Sequence, residues 1–267
     1  MKKSFSLFVI ASAIFITSCS KVPITNRSQM NLLPESEMIA MGLTSYHEFL
    51  QKNPPVSSSS ADEQMVKNVG ARIQSGVSNY LAQNKMSDRI RGYNWEFNLV
   101  NSNEVNAWCM PGGKVVVYSG LLPVTQNETS LAIVMGHEIA HAVARHGNER
   151  MSQQMVAQLG GMALDVALSQ KSEQTRAIFN TAYGAGTTVG VLLPFSRLQE
   201  SEADKLGLIF AAMAGYDPRE APKFWQRMAQ QGGSKPPELL STHPSDQKRI
   251  KDLQDFMPQA LKYYKPM

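Results

Sequence analysis

The residues of this chain best suited to chemistry are His137, Glu138 and His141, which form an H-E-x-x-H pattern. On a helix this spacing puts both imidazoles on one face, one turn apart, where they can bind one zinc ion. The glutamate can then act as a general base toward water held by that ion. A chance match is improbable because the chain has only five histidines: His47, His137, His141, His146 and His243.

The residues around this pattern favour a buried helix. Leu131–Met135 and Ile139-Ala140 leave almost no polar surface, and a helix that is apolar nearly all round belongs in a core. The competing interpretation is a surface helix with two solvated histidines. Two imidazoles and a carboxylate buried in a core need a partner, and a metal ion supplies one.

A catalytic zinc ion takes three protein ligands and keeps one open position. In metzincins a third histidine follows six residues after the second, but that position holds Gly147, and His146 is out of register. This class is therefore excluded. A glutamate on a later helix is the other common solution, and the best candidate stretch is Gln199–Asp204.

Four stretches of the chain, taken together, resemble the gluzincin peptidases that include the heat-shock protease HtpX, the CAAX prenyl endopeptidase, the Oma-type proteases and the beta-barrel assembly-enhancing protease. These stretches are Asn106–Gly113, Gly136–His146, Ser196–Asp204 and Thr242–Ser245. The resemblance extends from roughly Glu35 to Lys251, and it is strongest to short periplasmic lipoprotein members without a repeat domain. It implies a zincin-type metallopeptidase domain with a small β-sheet edging the active-site cleft.

The resemblance also implies the remaining site residues. Glu200 begins an E-x-x-x-D motif and is expected to be the third zinc ligand. Asp204 lies one turn further on the same face, where it can accept a hydrogen bond from a ligand histidine. Glu202 should point elsewhere, and we interpret it as a solvated charge. His243 is expected near the zinc, either plugging the open position or donating to the developing oxyanion; the alternative is a cap residue without metal contact.

A strand formed by Asn106, Ala107, Trp108 and the two residues after them is expected to run along the cleft. Its free edge could pair with an extended substrate by strand addition. Gly112 and Gly113 would leave room for a close approach of backbone. The expected substrate is therefore a polypeptide, read more through its main chain than through its side chains.

The N-terminal residues predict export. Lys2 and Lys3 precede an apolar run from Phe5 to Ile16, so residues 1–18 are predicted to be a signal peptide. The residues just before Cys19 resemble a bacterial lipobox, which predicts lipidation at Cys19 and a membrane anchor; an ordinary signal with an incidental cysteine is the alternative. Residues 19–33 are predicted to be an extended tether. The residue after Cys19 is Ser20 rather than Asp, and in enteric-type bacteria the absence of Asp here favours the outer membrane over the inner one. Other lineages sort by other rules, so the expectation is a lipoprotein that faces the periplasm, with the outer membrane preferred.

Composition limits the remaining possibilities. Without Lys2 and Lys3 the formal charge falls from +4 to +2, which does not indicate a nucleic-acid partner. Cys109 then remains as a single cysteine and is expected to be buried. Residues 34–267 are predicted to form one mainly α-helical α+β domain.

Periodicity predicts most of its elements. Strands are expected at 93–100, 105–110 and 114–119. Helices are expected at 35–50, 62–81, 127–147, 155–168, 197–214, 218–231 and 244–263.

These observations predict a zinc-dependent endopeptidase of the bacterial cell envelope, with one Zn²⁺ per chain, acting on unfolded or misassembled proteins. The alternative is a chaperone-like envelope module that binds proteins and carries a latent or structural zinc site. Neither the cleavage specificity nor the oligomeric state follows from the sequence.

Overall fold

The computed structural model describes residues 19–159, 173–183, 196–231, 237–243 and 247–266. The predicted signal peptide lies outside these ranges, as does most of the helix predicted at 155–168. The described helices are α1 (Glu35–Lys52), α2 (Ala61–Gln83), α3 (Leu122–Thr125), α4 (Glu128–Val143), α5 (His146–Leu159), α6 (Glu173–Tyr183), α7 (Arg197–Met213), α8 (Glu220–Gln230), α9 (Glu238–Thr242) and α10 (Gln247–Ala260). None of them is both long enough and apolar enough to cross a membrane.

In the described part of the chain five short strands form two small sheets, so the fold is mainly α with a minor β component, as predicted. Strands β1 (Cys19–Lys21) and β2 (Ser28–Met30) form an antiparallel hairpin. Strands β3 (Glu96–Val100), β4 (Ala107–Met110) and β5 (Lys114–Tyr118) form a sheet in the order β3-β5-β4. Residues 111–113 join β4 and β5, which are antiparallel, whereas β3 runs parallel to β5.

Helix α4 lies at the centre of the core. Every residue from Ser130 to Val143 is buried, as the apolar flanks of the H-E-x-x-H pattern predicted. Helices α2 and α7 and strand β4 pack around it. The chemistry-bearing residues therefore lie on an internal helix whose position is fixed on several sides.

The predicted start of α4 is confirmed, but its predicted end at Gly147 is wrong. The Asn127 side chain caps the helix by accepting from the Ser130 amide at 2.8 Å. The helix already ends at Val143, because Arg145 adopts a left-handed conformation with φ 61° and reverses the chain. Gly147 lies inside α5 instead.

The N-terminal segment also differs from the prediction. Residues 19–33 are predicted to be an extended tether, yet they fold against the domain. Val22 is fully buried in the main core, and Arg89 donates a hydrogen bond to the Lys21 carbonyl. The tether interpretation failed because the hairpin has too few residues for a periodic pattern, and its contacts are far away in sequence.

Two glycines bring α4 and α7 into backbone contact. A Cβ on Gly136 would lie 2.9 Å from the Gly207 carbonyl oxygen, and a Cβ on Gly207 would lie 2.8 Å from the His137 amide nitrogen. Since only glycine lacks this atom, the close crossing requires glycine at both positions. The crossing sets how near the histidines of α4 come to the acids of α7.

Replacing Gly207 with alanine should therefore destabilise the protein. Helix propensity alone would favour alanine by up to about 1 kcal/mol, but overpacking typically costs about 1–3 kcal/mol, and backbone atoms cannot rotate away. We expect a lower free energy of unfolding in urea titrations. Leu198→Ala, at a position 51 % exposed on the same helix, is the control and should change it little. Equal stability of Gly207→Ala and the wild type would contradict this account of the helix contact.

Candidate metal centre

Four buried side chains converge on one point between α4, α7 and the end of α9. They are His137, His141, Glu200 and His243, and one donor atom from each lies within 4.8 Å of the others. The three ligands expected from the sequence are thus brought together. His243, the residue after α9, joins them and is 3 % exposed.

The distances between these donor atoms fit a tetrahedral ion. The Nε2 atoms of His137 and His141 are 3.1 Å apart, and Glu200 oxygens lie 3.5 Å and 3.3 Å from them. The Nδ1 atom of His243 is 3.2 Å from His137 Nε2 and 2.8 Å from Glu200. Ligands about 2.0–2.1 Å from a tetrahedral zinc lie about 3.3 Å apart. The residues present therefore fit a metal ion.

Electrostatics at the site also favour a cation. Burial lowers the pKa of His137, but Asp204 and Glu200 outweigh this effect and raise it to about 9. Burial lowers the pKa of His141 well below its usual value, which keeps that imidazole neutral, the form that binds metals. The site thus offers a neutral imidazole as a metal ligand, and its carboxylates stabilise a positive charge.

Asp204 and Arg249 orient His137 from behind. The Nδ1 atom of His137 lies 2.9 Å from Asp204 Oδ1, as the sequence predicted for the carboxylate. Arg249, from α10, donates to both Asp204 oxygens at 2.8 and 2.7 Å and lies 3.2 Å from Glu200. Its guanidinium stacks 3.5 Å from the Trp225 ring. Because Nδ1 of His137 donates to Asp204, its Nε2 presents a lone pair to the donor group.

A second chain of hydrogen bonds orients His141. The Nδ1 atoms of His141 and His146 are 3.0 Å apart, and Nε2 of His146 is 3.1 Å from Glu202 Oε2. The ionised Glu202 only accepts, so His146 donates through Nε2 and accepts through Nδ1. His141 then carries its hydrogen on Nδ1, and its Nε2 faces the donor group without one.

The interpretation of Glu202 as a solvated charge is wrong. Its side chain is 1 % exposed and accepts from Thr25 at 2.6 Å and from Arg27 at 3.0 and 2.9 Å, besides His146. Burial would raise the pKa of Glu202, but these hydrogen bonds lower it to about 2. Glu200 and Glu202 point in different directions, as expected, but both side chains are buried.

Glu138 lies beside the donor group. It is 4 % exposed, and its Oε1 lies 3.5 Å from His243 Nε2. Among the described residues this oxygen has no hydrogen-bond partner. Burial raises the pKa of the Glu138 carboxyl, which makes it a better proton acceptor than an ordinary glutamate.

Strand β4 edges the site, as expected, and no described strand pairs with its side away from β5. Strand β4 packs alongside α4, and Asn106 precedes it. Ala107 is buried in the main core, whereas the Trp108 ring packs edge-on against Phe49 of α1. Gly112 and Gly113, with φ 89° and 79°, pack instead against Ile39 and Trp95 of the chain itself. The expectation that these glycines leave room for a substrate backbone does not match this packing.

Three residues that support the site were missed in the sequence: His146, Arg249 and Arg27. Of these, only His146 carries a signal in the sequence, since it lies five residues after His141 of the H-E-x-x-H pattern. Arg249 lies 45 residues from Asp204, and Arg27 lies 175 residues from Glu202. No periodic pattern marks such pairs.

Arg249→Lys should weaken metal binding. Lysine keeps the charge but cannot bind both Asp204 oxygens as a planar fork, so His137 loses part of its orientation. Loss of such supporting contacts typically costs about 10–100-fold in metal affinity, and we expect a value near the lower end in chelator competition. Lys251→Gln, which removes an exposed ion pair from the same helix, should leave the affinity unchanged. Equal affinities of both variants would contradict the role given to Arg249.

Comparisons with known proteins identify the family. Residues 68–257 match the model of peptidase family M48. The chain is 32 % identical to the mitochondrial metalloendopeptidase OMA1 of Schizosaccharomyces pombe, over 92 % of this chain and 68 % of that protein. It is 38 % identical to the OMA1 of Arabidopsis thaliana, over 67 % of this chain and 35 % of that protein. It is 37 % identical to the beta-barrel assembly-enhancing protease of Escherichia coli, over 59 % of this chain and 33 % of that protein.

The chain thus spans only about a third of the length of two of these relatives, and about two thirds of the first. The family match itself covers most of the chain and contains His137, His141 and Glu200. It confirms the predicted resemblance and the predicted enzyme class, a metalloendopeptidase. The chain belongs to peptidase family M48.

Proposed function

We propose that this protein is a zinc-dependent endopeptidase of the bacterial cell envelope that hydrolyses peptide bonds in unfolded or misassembled proteins. The observation that carries the proposal is the convergence of His137, His141 and Glu200 on one point beside the buried carboxylate of Glu138. A site that served only to hold a metal would have no use for that carboxylate.

Zinc is the ion that this donor set favours. Imidazole nitrogens and a single carboxylate are common zinc ligands, whereas calcium and magnesium prefer oxygen donors alone. The described residues contain one such group, which supports one Zn²⁺ per chain. Bound there, zinc would polarise the scissile carbonyl and lower the pKa of a water molecule toward ~7.

Glu138 is proposed as the general base and then the general acid. It would take a proton from the attacking water and pass it to the leaving amine. Its raised pKa suits both steps, because the carboxylate takes up a proton from water more readily than an ordinary glutamate does, and the carboxyl then holds that proton until the leaving amine accepts it.

Strand β4 is proposed to bind the substrate. Its side away from β5 pairs with no described strand and lies next to α4, so an extended polypeptide could add there as a further strand. Asn106, Ala107 and Trp108 would then contact the substrate main chain. Such pairing requires an unfolded or exposed segment, which supports a role in protein quality control.

The cellular location is proposed from the N-terminal sequence alone. The signal-like residues 1–18 and the lipobox-like residues before Cys19 support a lipid anchor at Cys19 and a periplasm-facing position, with the outer membrane preferred because of Ser20. Mass spectrometry of the mature N terminus from membrane fractions tests this assignment. An unmodified Cys19 would contradict it.

One observation supports the alternative, a chaperone-like module with a latent site. With His243 the donor group contains four protein residues, and structural zinc sites are closed by four protein ligands. The two functions differ in whether His243 leaves the group. We favour the peptidase because the buried Glu138 carboxylate lies beside the group, and a structural zinc site has no use for a general base.

Glu138→Gln should abolish peptide hydrolysis while leaving metal binding intact. The amide cannot take a proton, and loss of a general base costs about 10²–10⁴-fold in rate. Cleavage of an unfolded protein substrate, measured beside zinc content, tests this. Activity that survives the substitution would sink the peptidase mechanism, and binding of unfolded protein without any cleavage by the wild type would favour the chaperone.

His243→Ala should raise peptidase activity. We propose that His243 plugs the fourth position in the resting state, because its Nδ1 lies among the other donors. Removing the plug opens that position to substrate, so kcat should rise. A fall in kcat with unchanged KM would instead support oxyanion stabilisation by His243. His47→Ala, at an exposed histidine of α1, is the matched control and should have no effect.

A further inference from the structure

The N-terminal hairpin contacts buried acidic residues next to the metal centre through Arg27. Arg27, in the turn before β2, lies between two buried carboxylates from different helices. It contacts Glu149 of α5 at 2.5 and 2.9 Å and Glu202 of α7 at 3.0 and 2.9 Å. The side chains of these acids are 5 % and 1 % exposed.

The rest of the hairpin is fixed around this contact. Thr25 donates to Glu202 at 2.6 Å, and Gln199 donates to Glu149 at 2.8 Å from the first turn of α7. On the other side, Arg89 donates to the Lys21 carbonyl and, at 3.1 Å, to the Val143 carbonyl at the end of α4. The hairpin is therefore joined both to the helix that carries the histidines and to the helix that carries Glu200.

The contact continues without a break to a metal ligand. Glu202 accepts from His146, and His146 accepts from His141 on the ring nitrogen that faces away from the donor group. Each partner in this series restricts the next one to a single orientation. The position of the His141 imidazole thus depends on where Glu202 is held.

We propose that the hairpin, residues 19–30, is a positioning element of the metal centre, in which Arg27 holds Glu202 and, through Glu202 and His146, fixes the imidazole of His141. The inference rests on the metal site proposed above. Arg27 touches neither the donor atoms nor Glu138, so it acts only through the residues between. Conformation and charge pairing alone carry the effect.

The physical reason is the charge balance around Arg27. Without its guanidinium, Glu149 and Glu202 would face each other with no shared cation in a place that solvent barely reaches. Buried like charges without a partner are strongly unfavourable, so the two carboxylates would move apart. Glu202 would then leave His146, and His146 would no longer restrain His141.

The experiment compares four variants of the full chain with the wild type. Arg27→Gln removes the shared cation, Arg27→Lys keeps a charge without the fork, and Thr25→Val removes one neutral donor to Glu202. Lys21→Gln is the matched control, because it removes an exposed cation of the same hairpin, whose Nζ donates to the Ser28 hydroxyl at 2.7 Å. Zn²⁺ affinity is measured by chelator competition, and the visible spectrum is recorded with Co²⁺ in place of zinc.

We expect Arg27→Gln to bind Zn²⁺ about tenfold more weakly than the wild type, since loss of supporting residues costs about 10–100-fold and Arg27 acts at one remove. Its Co²⁺ spectrum should differ from that of the wild type. Arg27→Lys should recover part of the loss, and Lys21→Gln should match the wild type. If Arg27→Gln does not fold, Thr25→Val carries the test, with an expected loss of about threefold.

Two results would overturn the inference. One is wild-type affinity and an unchanged Co²⁺ spectrum in folded Arg27→Gln, even if the metal-free protein melts at a lower temperature, because that pattern means a structural role only. The other is an equal loss in Lys21→Gln, which would mean a general effect of charge. A wild-type chain that binds no Zn²⁺ at all would instead refute the metal site on which the inference rests.

Discussion

The close crossing of α4 and α7 is the constraint on which the rest of the structure depends. Gly136 and Gly207 let the two backbones touch, and this contact determines that imidazoles from one helix and a carboxylate from the other meet within bonding range of one ion. If the two helices were further apart, the histidines of α4 and the Glu200 carboxylate of α7 could not bind the same ion. The distance between the ligands of α4 and α7 is therefore set by this helix pair. The small sheet and the later helices pack around the pair.

Burying the ligand histidines creates the second requirement, that each imidazole finds a partner on its far side. The structure meets it by two separate series of contacts, one behind each histidine of α4. Asp204 and Arg249 support His137, whereas His146 and Glu202 support His141. Since both series end in an arginine from a distant part of the chain, the site is completed only when the N-terminal hairpin and α10 have docked.

The sequence predicted the parts of the site that lie in local patterns. The pairing of His137 with His141 and the shared face of Glu200 and Asp204 follow from spacing along each helix, whereas the resemblance chose Glu200 among the acids. The end of α4 and the environment of Glu202 did not follow. The first depends on a left-handed Arg145, which sequence does not mark, and the second on Arg27, a contact across 175 residues. Local periodicity says which side of a helix a residue occupies, but not which distant segment covers that side.

The folded N-terminal hairpin has a consequence for where the enzyme can work. If residues 19–33 were extended, these fifteen residues would form a linker up to about 50 Å long. Because these residues pack onto the domain instead, a lipid at Cys19 would be joined to the domain with almost no flexible linker between them. The catalytic body would then rest at the bilayer surface, and its range would be set by lateral diffusion in two dimensions. A target would have to come to the membrane to be cut.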